Sequence, residues 1–231
     1  MVRETQQVMK PKRQKKSVVK ETEAVLVSSA EIERYNLRER LVHWTVAISF
    51  LYLLLSGLAL YSPRLGTWLY PLLGGGTNIR IWHPYAGVLF ALAVTIMTIS
   101  WRRCLWMYPE DWEWMRYSWK YITHKEGVPE AGRFNAGQKL LFWVLAFSGL
   151  ILLLSGIVLW FREKFSRELW LASILAHEIF AIVAMGAIIV HMYMGLFASP
   201  GSLRAMVEGK VTEAWAKAHH ARWYKRVMGI S

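Results

Sequence analysis

Four apolar runs, at about residues 41–61, 81–101, 140–161 and 170–197, limit what this chain can become. Each reaches the ~20 residues needed to cross ~30 Å of hydrocarbon. Backbone N–H and C=O groups have no water to bond in lipid, so each run must satisfy them internally as an α-helix. The expected fold is an all-α integral membrane protein, a four-helix transmembrane bundle. Composition agrees: 55% of the 231 residues are hydrophobic and the mean hydropathy is +0.24. Thirteen Trp and ten Tyr supply the amphipathic rings favoured at headgroup depth.

The formal charge of +12 would suit a nucleic-acid ligand, but its placement does not. Ten Lys and Arg precede the first run, seven lie in the second connection and six in the C-terminal segment, against two and three in the first and third connections. Basic segments on one side predict that both termini and the middle loop are cytoplasmic. Cys104 is the only cysteine, which excludes an internal disulfide, a thiolate-held iron–sulfur cluster and a paired-cysteine haem attachment site. The first apolar run is too long, and too poor in small-residue cleavage signals, for a cleavable signal peptide.

The chain divides into a basic N-terminal tail (1–34), a four-span unit (35–198) and a cytoplasmic C-terminal tail (199–231). A short helical lead-in is expected over Ala30 to Arg40, with Ser29 as N-cap. The first connection, through Gly74-Gly75-Gly76, reads as a short turn. The middle loop is crowded with Trp106, Tyr108, Trp112, Trp114, Tyr117, Trp119 and Tyr121. That density fits either a segment lying along the headgroups or a protein-contact surface. Spans one and three align without gaps, placing His43 on Phe142, Trp44 on Trp143, and Ser56-Gly57 on Ser155-Gly156; spans two and four align through His83 and His177. The pattern points to a parallel duplication of a two-helix unit.

His124, His219 and His220 fall in polar segments and read as surface residues. His43, His83, His177 and His191 lie in or at the edge of spans, where polar groups are costly and usually functional. Singly, each could be a helix–helix hydrogen bond, a proton relay or a ligand. Together their depths match: His43 and His191 lie on the inner side, His83 and His177 on the outer. His177 and His191, fourteen residues apart, are separated by a rise of ~21 Å and lie within roughly 40° of one helix face. Two imidazoles from facing helices are what a six-coordinate b-type haem requires, so two such haems are expected. Gly57 and Gly87 stand near the outer level, where small residues admit either a porphyrin or a closely packed helix. Glu178 is the exception to spans otherwise almost free of carboxylates, and it sits near the outer boundary on a face different from His177.

The stretches RLVHWT, RIWHPYAG, RFNAGQK, AHEIF and IIVHMYM, followed by GSLRAMVEGKV, resemble the membrane cytochrome b (gamma) subunit of respiratory formate dehydrogenase. The resemblance runs from about Tyr35 to Tyr224. It implies a heterotrimer, with an iron–sulfur beta subunit and a molybdenum- or tungsten-pterin catalytic alpha subunit outside, within a larger oligomer of heterotrimers. It implies His83 and His177 as ligands of the outer haem iron, and His43 and His191 as ligands of the inner one. It further implies reduction of menaquinone, or a related quinone, beside the inner haem at Asn135, Gly137 and Gln138. Read from the residues alone, Asn135 and Gln138 form a capping box ahead of span three; the resemblance favours the quinone site. Arg40 and Arg80 are candidate propionate partners by depth. The expected function is electron transfer from a periplasmic iron–sulfur partner, through two haem b groups, to quinone on the cytoplasmic side of a bacterial inner membrane. The rivals are the cytochrome b subunit of a membrane-bound nickel–iron hydrogenase and a haem-free structural anchor.

Overall fold

The computed structural model describes residues 30–123 and 127–230. Readings that fell on the basic tail before residue 30, on Ser29 and on His124 lie outside the described residues. Among the described residues, four helices are long and apolar enough to cross a membrane: α1 (Leu37–Tyr61), α3 (Gly76–Leu105), α6 (Ala136–Trp160) and α7 (Arg167–Tyr193), the last continued by a single π-helical turn, Met194–Ala198. Each expected span is present, and each helix begins a few residues before its apolar run. α1 packs along α3 and α6 along α7, with α3 against α6 joining the two pairs.

The capping chemistry shows why the spans start where they do. Asn36 Oδ1 accepts from Glu39 N and Glu39 Oε2 accepts from Asn36 N, both at 3.0 Å, closing a capping box on α1. Asn135 and Gln138 repeat the device on α6, at 2.9 and 3.0 Å. The helical lead-in expected over Ala30 to Arg40 forms only from Leu37 onward. Glu31–Glu33 is instead a strand, β1, paired antiparallel with β2 (Lys210–Thr212), with Glu31 opposite Thr212. Arg34 N and Tyr35 N both donate to Gly209 O, so the segment bonds a distant partner and helix begins only after Asn36.

The first connection is also more than a turn. Pro63–Leu72 forms a helix, α2, with Ser62 Oγ accepting from Leu65 N at 3.4 Å and Pro63 at its first position. The tight turn expected at the glycines follows it: Gly74 and Gly75 take φ of 81° and 95°, where a side chain would strain the backbone. On the other side of the bundle, α4 (Pro109–Arg116) and α5 (Ser118–Ile122) occupy the middle loop. Trp106, Trp112 and Trp119 are exposed, whereas Trp114 is buried.

The C-terminal segment folds over the same end, through α8 (Ser202–Val207), β2, α9 (Glu213–His219) and α10 (Ala221–Met228). A hydrophobic core lies in this cap, where Tyr35, Trp101, Leu105, Phe134, Val211, Ala216, Trp223 and Tyr224 pack together. The spans present large apolar side chains outward along their length, as helices solvated by lipid do.

His220, expected at the surface, is 1% exposed. Its Nδ1 donates to Gly132 O at 2.8 Å, tying α10 to the segment before α6. Burial, reinforced by the nearby Arg34 cation, holds its pKa well below the usual histidine value. The unfolded chain therefore binds this proton first, so the cap has full stability above about pH 6.5 and loses it as pH falls below. Proteolysis of the C-terminal segment in detergent should accelerate between pH 7.5 and 5.5. A His220→Asn variant, which keeps a donor for Gly132 O but does not titrate, should flatten that dependence; an unchanged pH profile would assign it to other groups.

Candidate functional site

The structure brings the four span histidines together two by two. His83 on α3 faces His177 on α7 with ring centroids 6.3 Å apart, and His43 on α1 faces His191 on α7 at 6.1 Å. These are the pairs expected from depth, one near the cap and one toward the opposite end. A metal ion held end-on by two imidazoles, about 2 Å from each nitrogen, sets ring centroids about 6.3 Å apart. The backbone of α7 lies against α6 but stands off from α1 and from α3, the two helices its histidines reach across to. Among the described residues, no three His, Cys, Asp or Glu side chains converge on a point. Two protein ligands suit a metal that brings its other ligands with it, as a porphyrin iron does. The residues present therefore fit haem.

The rings at the far pair are held by hydroxyls. Ser56 Oγ lies 2.7 Å from His83 Nδ1, and Ser155 Oγ lies 2.9 Å from His177 Nδ1. Each hydroxyl also bonds its own helix, Ser56 to Tyr52 O at 2.6 Å and Ser155 to Ile151 O at 2.7 Å. The adjoining glycines seat the ring edges: a Cβ at Gly57 would stand 3.6 Å from His83 Cε1, and one at Gly156 would stand 3.5 Å from His177 Cε1. A Cβ at Gly87 would meet no atom within 4 Å. The sequence repeat had placed Ser56-Gly57 and Ser155-Gly156 in register, but nothing in the repeat alone indicated that the serines would hold the histidines.

The duplication is written into the cap as well. Trp44 Nε1 donates to Met206 O at 3.1 Å, and its counterpart Trp143 Nε1 donates to Leu105 O at 3.0 Å. Arg34 and Arg133 exchange guanidinium-to-carbonyl bonds reciprocally, Arg34 Nη2 with Arg133 O and Arg133 Nη2 with Arg34 O. Arg34-Tyr35-Asn36 and Arg133-Phe134-Asn135 thus form the two halves of a local two-fold. Extending the gapless alignment upstream of span one would have shown it.

Asn135 is buried beneath the cap, and Gln138 is exposed beside it. Their side-chain oxygens serve the capping box, which leaves Asn135 Nδ2 and Gln138 Nε2 as donors outside it. A Cβ at Gly137 would stand 3.5 Å from the Trp114 ring, so the indole lies over this glycine. A cavity of about 190 Å³ reaches Asn135 and is lined also by Tyr108, Asp111, Trp114 and Lys139. Within it Lys139 Nζ pairs with Asp111 Oδ2 at 2.6 Å. Arg40 bonds the carbonyls of Met206 and Val207, so it anchors α8 rather than pointing to either histidine pair. Arg80 is exposed one turn before His83, and Glu178 is exposed on α7.

A family model for prokaryotic cytochrome b561 matches residues 34–209. The chain is similar to the cytochrome b556(Fdn) subunit of the nitrate-inducible formate dehydrogenase of Escherichia coli K12. They are 34% identical over 203 residues, 86% of this chain and 93% of that protein. It is similar also to the cytochrome b556(fdo) subunit of the same organism's formate dehydrogenase, at 35% over 199 residues, 85% and 93% of the two chains. Against the formate dehydrogenase cytochrome b556 subunit of Haemophilus influenzae the identity is 34% over 205 residues, 86% of this chain and 84% of the other.

Proposed function

The chain belongs to the prokaryotic cytochrome b561 family, and on that premise we propose that it is the dihaem cytochrome b subunit of a formate dehydrogenase complex, carrying electrons across the membrane to quinone. It is a multi-pass protein of the bacterial inner membrane. The observation that best supports the reading is the pairing of its four span histidines, two by two, at separations of 6.3 and 6.1 Å. His83 and His177 hold the outer iron; His43 and His191 hold the inner one. The charge asymmetry of the connections supports a cytoplasmic side for the cap, both termini and the inner pair.

When bound, the two haem b groups supply one-electron redox chemistry at two depths of the membrane. The chain supplies their spacing. With ~21 Å of α7 between His177 and His191, neither site alone spans the bilayer and the two together do. Electrons come from an iron–sulfur subunit on the outer side, fed by a molybdenum- or tungsten-pterin catalytic subunit, in a larger assembly of heterotrimers. Moving one electron inward against the membrane field costs ~2.3 kcal/mol per 100 mV, so the arrangement stores redox energy as membrane potential.

At the inner end Asn135 Nδ2 and Gln138 Nε2 donate to a menaquinone-type carbonyl, Gly137 leaves room for the Trp114 indole that borders the site, and the cavity beside Asn135 admits cytoplasmic protons. Asn135→Asp separates this role from helix capping, because Asp caps as well as Asn but lacks the amide donor. In the purified complex, Asn135→Asp should keep both haems and lower formate-dependent menaquinone reduction about tenfold, the worth of one lost hydrogen bond. Unchanged turnover would remove Asn135 from the quinone site. For the function as a whole, formate added to the wild-type complex should reduce b-type bands before quinone is present; their absence would refute the assignment.

A further inference from the structure

We propose that Ser56 and Ser155 are positioning residues that set the outer iron at the lower reduction potential of the two, so that inward electron transfer runs downhill. The inference rests on the dihaem reading above. Each serine has one hydroxyl proton, and each lies close to a carbonyl of its own helix, Tyr52 O at 2.6 Å and Ile151 O at 2.7 Å. With that proton given to the carbonyl, the contacts to His83 and His177 at 2.7 and 2.9 Å must run from imidazole Nδ1–H to the serine oxygen. This fixes the tautomer and leaves Nε2 as the ligating nitrogen. An imidazole that donates from its distal N–H is a more basic ligand, and a more basic ligand favours ferric over ferrous iron.

The inner pair lacks the device. His43 Nδ1 is buried without a hydrogen-bond partner, and the imidazole of His191, an exposed residue, makes no hydrogen bond to the described residues. Two turns nearer the cap, the equivalent serines Ser49 and Ser148 are buried yet serve no histidine: Ser49 bonds Thr45 O at 2.7 Å, and Ser148 Oγ has no partner. The hydroxyl bonds are thus confined to the outer ligands, on both halves of the repeat. One electron passing inward oxidises the outer iron and reduces the inner one with no proton exchanged, and the difference in ligand basicity opposes the membrane field on that step.

The test is a spectroelectrochemical titration of the assembled complex, with the outer haem identified as the one missing from His83→Ala. Ser56→Ala and Ser155→Ala should each raise the potential of that haem alone. The expected shift is about threefold to tenfold in its reduction equilibrium, tenfold being about 59 mV for one electron. Ser56→Thr and Ser155→Thr, which keep a hydroxyl, should return it toward the wild-type value, and Ser49→Ala should leave both haems unmoved. An unshifted outer potential, equal shifts at both haems, or an outer haem that titrates above the inner one in wild type would overturn the proposal. So would loss of the outer haem from both single alanine variants, which would make the hydroxyls structural props. Failure of the dihaem reading itself looks different: the wild-type complex would show fewer than two b-type centres.

Discussion

Replacing His83 or His177 with alanine is expected to leave the purified complex with one haem of two, the surviving centre being the inner one. His43→Ala and His191→Ala should do the reverse. The expectation follows from which rings face each other, His83 with His177 and His43 with His191. A six-coordinate iron that loses one of its two protein ligands is held from one helix only. Since α7 stands off from both α1 and α3, backbone packing does not close the site around what remains. The inner and outer levels are ~21 Å apart along α7, so removing one ring should not reach the other site through local repacking. Haem-to-protein stoichiometry should fall from two to one, and the lost spectral component should be the same for both members of a pair. A His83→Ala complex missing the component that His43→Ala also lacks would refute the pairing.

Much of this site was legible because its information is local and periodic. Apolar runs dictated the spans, and helix direction turned residue numbers into depths, so four histidines could be sorted into pairs before any contact was known. The capping boxes were equally local, with Asn135 and Gln138 three residues apart. What stayed hidden was set by partners distant in sequence. Glu31–Glu33 is compatible with helix by composition, and only its pairing with Lys210–Thr212 makes it a strand. His220 sits in a run of basic and polar residues that looks solvated, yet Gly132 O and the aromatic cluster around Trp223 bury it. The serine contacts fell between the two cases. Their register was visible in the repeat, but their role needed the helix packing that brings Ser56 to His83.

The repeat also explains an asymmetry. The counterpart of His43 is Phe142, and the spacing that aligns His83 with His177 puts Met97 opposite His191. Met97 belongs to the apolar core of the cap, and Phe142 packs against it. The repeat therefore carries a histidine in both copies at the level of His83 and His177 but keeps one pair at the level of His43 and His191, the second position there being filled with apolar side chains.

Glu39→Ala is expected to be the most destabilising substitution in the cap. Glu39 Oε1 accepts from Arg133 Nη2 and from Trp101 Nε1, each at 2.7 Å, while Oε2 closes the cap of α1. The carboxylate side chain is 12% exposed and the Arg133 side chain 25%. Beside them Arg34, 3% exposed, stacks over Trp223 at 4.3 Å and has two buried nitrogens without a partner. Burial lowers the Arg34 pKa, yet a guanidinium stays charged at any working pH. Two arginines thus meet at the local two-fold, with Glu39 as the carboxylate paired there. Removing one partner of such a buried pair typically costs about 3–5 kcal/mol, because the cation left behind is uncompensated. Glu39→Gln keeps the acceptor for Trp101 and the cap but removes the charge, so it isolates the electrostatic part and should fall between wild type and Glu39→Ala. Because Arg133 lies two residues before Asn135, the same loss should loosen the segment proposed to meet quinone while both haems remain bound. Thermal unfolding and protease sensitivity of the 127–135 segment would measure it. Equal stability of Glu39→Ala and wild type would show that the arginines find compensation elsewhere and that the local two-fold does not depend on this carboxylate.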